Sequence, residues 1–206
     1  MTQFTLTLVR HGETAGQSSV RYHGRNDVPL SPLGRAQMAR VRDALRAHHF
    51  DAVYASRLSR SVEAAAIVGD VPLEHPTAIT RIAGFDEIDF GEWEGLTADE
   101  IQTRHPELYA RWVSSERGDF QYPGGESIRA FRRRVVRTLH EVLAEAPPGH
   151  LLFVVHKGII YSILSELLQL DDAQRHQLTV PLASIHVIGR VNGRWQAEVL
   201  DRTDHL

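Results

Sequence analysis

Two short apolar runs in this chain end in the same way. TLTLV at 5–9 stops on Arg10, His11 and Gly12; LLFVV at 151–155, within HLLFVVHKG at 150–158, stops on His156, Lys157 and Gly158. Short runs this apolar suit strands covered on both faces, as strands of parallel sheets are. A third run, FDAVYAS at 50–56, closes on Ser56 and Arg57. Helical segments separate the three. Ser31 and Pro32 form an N-cap and first-turn pair for a helix through Arg46. RLSRSVEAAAIVG is a helix stopped by Gly69. Thr97 and Glu100 make a capping box for a helix through ADEIQTRHPELYARWV. Ser127 to Ala146 is a long amphipathic helix ended by Pro147 and Pro148, and IIYSILSELLQL continues the strand at 150–158 as an apolar helix. ITRIAGFDEIDFGEWEG mixes short strand signals with glycines, YPGGES is a loop, and SIHVIGRVNGRWQAEVL is a hairpin turning at Asn192-Gly193. Strands alternating with helices predict an α/β, three-layer sandwich with a mainly parallel central sheet flanked by helices.

A chain of 206 residues suits a single domain with a sizeable core. Its net charge of -3 gives no ground for a nucleic-acid or anionic-membrane partner. No 18-residue apolar run or signal-peptide core is present, which predicts no membrane span. The absence of cysteine removes disulfides and thiolate chemistry and favours the cytoplasm. No internal repeat or low-complexity tract occurs. Nearly every basic residue is arginine, and Lys157 is the sole lysine.

In sheets of this kind ligands sit beyond the carboxyl ends of the strands. Here all three ends are basic, and two carry a histidine followed within two residues by a glycine, which lets backbone N–H groups approach a ligand. Paired histidines could instead bind a metal. Arg10, Arg60 and Lys157 argue against that, since they would repel a divalent ion; they would attract a phosphate, whose oxygens match planar arginine forks. The sequence reads as an anion pocket with no metal and no cofactor.

LVRHGET at 8–14 resembles the nucleophile motif of the histidine phosphatase superfamily, which includes cofactor-dependent phosphoglycerate mutases and many small phosphatases. Four further stretches resemble the family in the expected order: RYHGRNDVPLSPLGRAQ, ASRLSRS, FDEIDFGEWEG and VVHKG. The resemblance implies a phosphoglycerate mutase-like fold over 1–206, with residues of about 85–127 as a helical and loop cap over the site. It implies His11 as the nucleophile, forming a phosphohistidine, with Arg10, Arg60 (rather than Arg57) and His156 holding the phosphoryl oxygens. Glu87 would protonate the leaving alkoxide and then deprotonate the attacking water. Thr14, Gln17, His23, Gly24 and Lys157 are the further substrate-binding candidates. Gln17 stands where the family often has asparagine. Val155 and Lys157 replace the serine and first glycine of the usual Ser-His-Gly-Gly, which removes a hydroxyl and adds a cation at the helix opening.

GEWEGLTADEI…YPGGES resembles the small-phosphatase branch, especially alpha-ribazole phosphatases of cobalamin synthesis and broad-specificity relatives. The implied partner is a small-molecule phosphate ester, and a homodimer is compatible with the resemblance. A phosphoglycerate mutase is the alternative, but the longer insertion that mutases carry after the acid has no obvious counterpart. A silent phosphate-ester-binding domain is disfavoured by retention of all five catalytic residues. Trp93 and Trp112 are expected to be packing residues, RAFRRRVV at 129–136 a solvated basic face, and His48 and His49 helix-end residues.

Overall fold

The computed structural model describes residues 4–71, 78–114 and 119–206. Among the described residues the sheet has six strands: β1 (Phe4–Arg10), β2 (Ala52–Ala55), β3 (Thr80–Arg81), β4 (Gly149–Val155), β5 (Ile185–Val191) and β6 (Arg194–Arg202). The spatial order is β3-β2-β4-β1-β5-β6. The first four run parallel, and β5 and β6 close one edge as an antiparallel hairpin. Asn192 and Gly193 both take positive φ at its turn, as the dipeptide demands.

Alternation along the strands divides the core in two. Leu6, Leu8, Leu151, Phe153 and Val155 face α5 (Ile128–Glu145) and α6 (Lys157–Leu167) through Val135, Leu139, Ile160 and Ile163. Val9, Val53, Leu152 and Val154 face α1 (Pro32–Leu45) and α2 (Ser59–Gly69) through Met38, Val41, Val62 and Ala65. These are the three layers. The β1–β4 register pairs Arg10 with Val155, so His11 and His156 leave the sheet side by side. The backbone N–H of His11 donates to the Val155 carbonyl at 3.1 Å.

Three elements differ from the sequence reading. The helix expected across 98–113 is two: α3 (Ala98–Arg104) and α4 (Pro106–Val113). Pro106 pushes the preceding His105 out of helical geometry, to φ -133° and ψ 57°. The last apolar helix starts at Lys157 rather than Ile159, with His156 as its N-cap. Finally, α7 (Asp172–Gln177) opens on an Asp171/Gln174 capping box, a local signal left unassigned. No helix among the described residues is long and apolar enough to cross a membrane.

His186 of β5 is fully buried, accepting the Asp201 N–H on Nδ1 at 3.2 Å with Ser184 Oγ 3.1 Å from Nε2. Burial pushes it down to about 4, against the opposing pull of Asp201. The unfolded chain therefore binds a proton below pH 6.5 that the folded chain refuses, and stability falls as pH drops through that window. Urea unfolding should show a His186 contribution of about 2 kcal/mol lost between pH 7 and pH 5. His186→Gln should flatten that part of the pH dependence; an unchanged slope would refute the assignment.

Candidate active site

Beyond the carboxyl ends of β1, β2 and β4 lies a cavity of about 1100 Å³, bordered by Arg10, His11, His23, Gly24, Arg60, Glu87 and Lys157 among others. His11 is 4% exposed at its edge. Its Nδ1 lies 2.8 Å from its neighbour Gly12's carbonyl, which can only accept; Nδ1 thus carries the proton and Nε2 keeps a free lone pair. Burial first, then the guanidiniums of Arg60 and Arg10, push the ring well below the usual imidazole range. Neutral, oriented and with one unshared pair, His11 has the form a nucleophile needs. Gly12 permits this placement, because a Cβ there would lie 2.6 Å from the Gly34 carbonyl.

Two arginines supply the positive charge. Arg60, 2% exposed, donates from Nη1 to Asn26 O at 2.8 Å and from Nη2 to Gly24 O at 2.6 Å. Arg10 donates from Nη1 to Val180 O at 2.8 Å, and burial pushes it down to about 10, still protonated at neutral pH. Neither forms an ion pair among the described residues, and the Nε of each is buried without a partner. Arg57 instead binds Asp86 through Nε and Nη2, at 2.9 and 2.5 Å, so Arg60 is the arginine at the cavity.

His156, 1% exposed, packs edge-on to His11 with ring centroids 5.1 Å apart. Its Nε2 is 2.7 Å from Ser56 Oγ, whose lone pair accepts the Leu58 N–H at 3.2 Å. Leu58 N–H can only donate, so Nε2 is the one acceptor among the described residues for the buried Ser56 hydroxyl proton, and an imidazole that accepts there carries its own proton on Nδ1. That nitrogen is buried with no partner of its own. Burial, with Arg60 next, pushes the ring well below the usual range, so it is a neutral donor. Ser56 thus supplies, one residue beyond β2, the kind of hydroxyl that Val155 removes from the second-histidine motif.

Glu87, 8% exposed, receives the Ile88 N–H at 2.9 Å and the Gly158 N–H at 3.0 Å. The second donor is free because α6 begins at Lys157: first-turn N–H groups have no partner within their own helix. A Cβ on residue 158 would lie 2.5 Å from the Glu87 carboxylate. The Glu87 loop is clamped by Arg134, which donates to the carbonyls of Gly84 and Asp86 at 2.9 Å and pairs bidentately with Glu126. Arg134 is thus not part of a solvated face: the turn of α5 carries it inward. Trp93 is core, as expected, whereas Trp112 borders the cavity.

The remaining candidates divide. His23 and Gly24 border the cavity, with His23 Nε2 2.7 Å from Gly16 O and Gly24 lending its carbonyl to Arg60. Lys157 borders it too, and burial followed by Arg10 lowers its ammonium below the usual lysine range. Thr14 and Gln17 do not border it. Thr14 Oγ1 pairs with Ser18 at 2.7 Å, and Gln17 is exposed at φ 63°.

A neutral imidazole with a free Nε2, two buried guanidiniums and a carboxylate on one sheet edge define a site for phosphate esters. The chain belongs to the histidine phosphatase superfamily (branch 1), whose family model matches residues 6–203. It is 30% identical to phosphoserine phosphatase 1 of Hydrogenobacter thermophilus over 98% of this chain and 93% of that one. It is 31% identical to the adenosylcobalamin/alpha-ribazole phosphatase of Salmonella typhimurium, covering 93% of this chain and 88% of the relative. Its fold superposes on Bacillus stearothermophilus YhfR with a TM-score of 0.85 at 24% identity, covering 98% of each chain.

The Ser56–His156 geometry yields a test. Ser56→Ala should free the His156 tautomer and lower kcat/KM roughly 10- to 100-fold, by partial loss of one oriented donor. Ser56→Thr should restore most of it. Nitrogen-15 NMR of the ring should show protonated Nδ1 in the wild type and a mixture in Ser56→Ala.

Proposed function

We propose that the protein is a metal-independent phosphomonoesterase, acting in the cytoplasm on a small-molecule phosphate ester through a phosphohistidine. The observation that carries this reading is the free Nε2 of neutral His11 beside Arg10 and Arg60, two buried cations that lack carboxylate partners among the described residues. His11 Nε2 attacks phosphorus in line, the P–O bond to the alcohol breaks, and the alkoxide takes a proton from Glu87. The phosphoryl oxygens lie among Arg10, Arg60 and the Nδ1–H of His156, which neutralise charge in the transition state. Water then attacks phosphorus, gives its proton to Glu87, and returns the N–P electron pair to His11.

The residues of about 85–127 serve in this reading as a cap, carrying Glu87 and one wall of the cavity; residues 115–118 of that stretch lie outside the described residues. Hydrolysis of an ester in the alpha-ribazole phosphate or broad-specificity class is favoured over mutase chemistry, which must hold the phosphoenzyme away from water. The named phosphatases among the relatives support the same choice. Thr14 and Gln17 would act through the loop that carries His23.

Three outcomes are expected. His11→Ala should abolish turnover, and wild-type protein quenched under alkaline conditions should carry ³²P from substrate on His11. Turnover should survive EDTA. Glu87→Gln should slow an alkyl phosphate by roughly 10²-fold or more in kcat, because a basic alkoxide needs the proton. With para-nitrophenyl phosphate the same variant should give a near-normal burst of nitrophenol and then slow turnover. Equal loss of the burst for both leaving groups would assign the proton to another residue.

A further inference from the structure

Two cations border the catalytic cavity in addition to Arg10 and Arg60 and have no carboxylate of their own. Lys157 comes from the first turn of α6 and Arg132 from α5, and neither forms a hydrogen bond or ion pair among the described residues. Arg21, on the same border, pairs with Glu100 at 2.9 Å. Along α5 itself, Arg129, Arg134 and Arg137 pair with Asp119, Glu126 and Glu141 at 3.6, 2.8 and 3.7 Å. Bonds fix where Lys157 and Arg132 stand. Gly158 gives its N–H to Glu87 at 3.0 Å, so Lys157, between Gly158 and His156, sits beside both the carboxylate and the phosphate donors. Arg10 and Glu87 both act on its ammonium. Tyr161 is one turn further along the same face of α6, and Arg132 lies 5.7 Å above its ring. Lys157, Tyr161 and Arg132 therefore form one wall that begins at Glu87. Asp99 of α3 also borders the cavity and forms no ion pair with either cation. Lys157 stands where the usual motif has glycine, so the wall is a feature of this chain.

We propose that Lys157 and Arg132 form a second anion subsite, and that the preferred substrate is a phosphate monoester whose alcohol half carries a further carboxylate or phosphate. The inference rests on the phosphomonoesterase reading and narrows its broad-specificity form to esters of an anionic alcohol. A scissile phosphate dianion balances Arg10 and Arg60. Glu87 cannot balance Lys157 when the alkoxide leaves, because its carboxyl must then hold the proton it donates. Only a second negative charge on the ligand engages the remaining two cations. The planar fork of Arg132 matches a carboxylate or a phosphate, and its contact with Tyr161 reduces the ordering that binding requires. Both side chains are exposed, so dissolved salt screens the attraction. A neutral alcohol leaves both cations to water.

The test compares alkyl phosphates, from propyl to hexyl, with ω-carboxyalkyl phosphates and α,ω-diol bisphosphates of the same chain lengths. Their alkoxides differ little in basicity, so the ratio at matched length reports binding of the tail rather than bond-breaking. At low salt the best anionic tail should exceed its alkyl partner by about 10-fold or more in kcat/KM. Either tail supports the subsite, and the larger ratio names its group. Raising the salt concentration should shrink the ratio. Arg132→Gln and Lys157→Gln should each move it towards one, and Arg132→Lys should keep most of it. Arg133, also without a carboxylate partner, borders a different cavity, so Arg133→Gln should change the ratio by less than about twofold. Ratios near one at every length, a ratio that survives Arg132→Gln and Lys157→Gln, or an equal loss in Arg133→Gln would overturn the subsite. Calorimetry with alkylphosphonates and ω-carboxyalkylphosphonates, neither hydrolysable, separates the two readings. Hydrolysis of no ester would refute the phosphomonoesterase, whereas equal affinity for the paired phosphonates would refute the second anion subsite.

Discussion

Arg10 and Arg60 are buried cations held by backbone carbonyls rather than carboxylates, and much of the molecule is arranged around that fact. Carbonyl dipoles satisfy individual N–H donors but do not cancel a charge, and an unpaired charge away from water is costly. The strand register, the loop after β1 and the loop before β5 hold the two guanidiniums in place despite that cost. Burial first, and then the same field, lowers His11 and His156 below the usual imidazole range. An arriving phosphate dianion relieves the imbalance, so the two arginines contribute both to anion affinity and to the neutral state of the histidines.

The Glu87 carboxylate is positioned by a second, separate network. Arg134 reaches from α5 to the carbonyls of Gly84 and Asp86, Glu126 braces Arg134, and the first turn of α6 offers Gly158 N–H to Glu87. Glu87 is therefore tied to a long helix and to the strand-end that delivers His156, although its own segment has little regular structure. Ser56 plays the corresponding part for His156. His11, His156 and Glu87 are each held by groups from different parts of the fold.

Most of the fold was legible because its signals are local. The strands ending at Arg10, Ala55 and Val155, the Ser31–Pro32 helix start and the Asn192-Gly193 turn each follow from a few adjacent residues. Motif spacing likewise selected His11, Arg60, Glu87 and His156. What escaped depends on helical phase and long-range packing. RAFRRRVV reads as a uniform basic run, yet one arginine of it points inward; nothing local distinguishes Arg134 from Arg133. Trp112 packs against the core as read, but that it also borders the cavity depends on neighbours far off in sequence. The break at His105 was written in Pro106, and a continuous apolar rhythm through 98–113 obscured it.

The composition around Lys157 has a consequence for the chemistry of the whole surface. Every other basic side chain apart from histidine is a guanidinium, so the chain holds a single ε-amine, and that amine borders the catalytic cavity. Burial and Arg10 favour its unprotonated, nucleophilic form more than in an ordinary surface lysine. Lysine-directed acylation of the folded protein is thereby confined to one side chain. Acylation of that side chain would remove a positive charge from the border of the cavity.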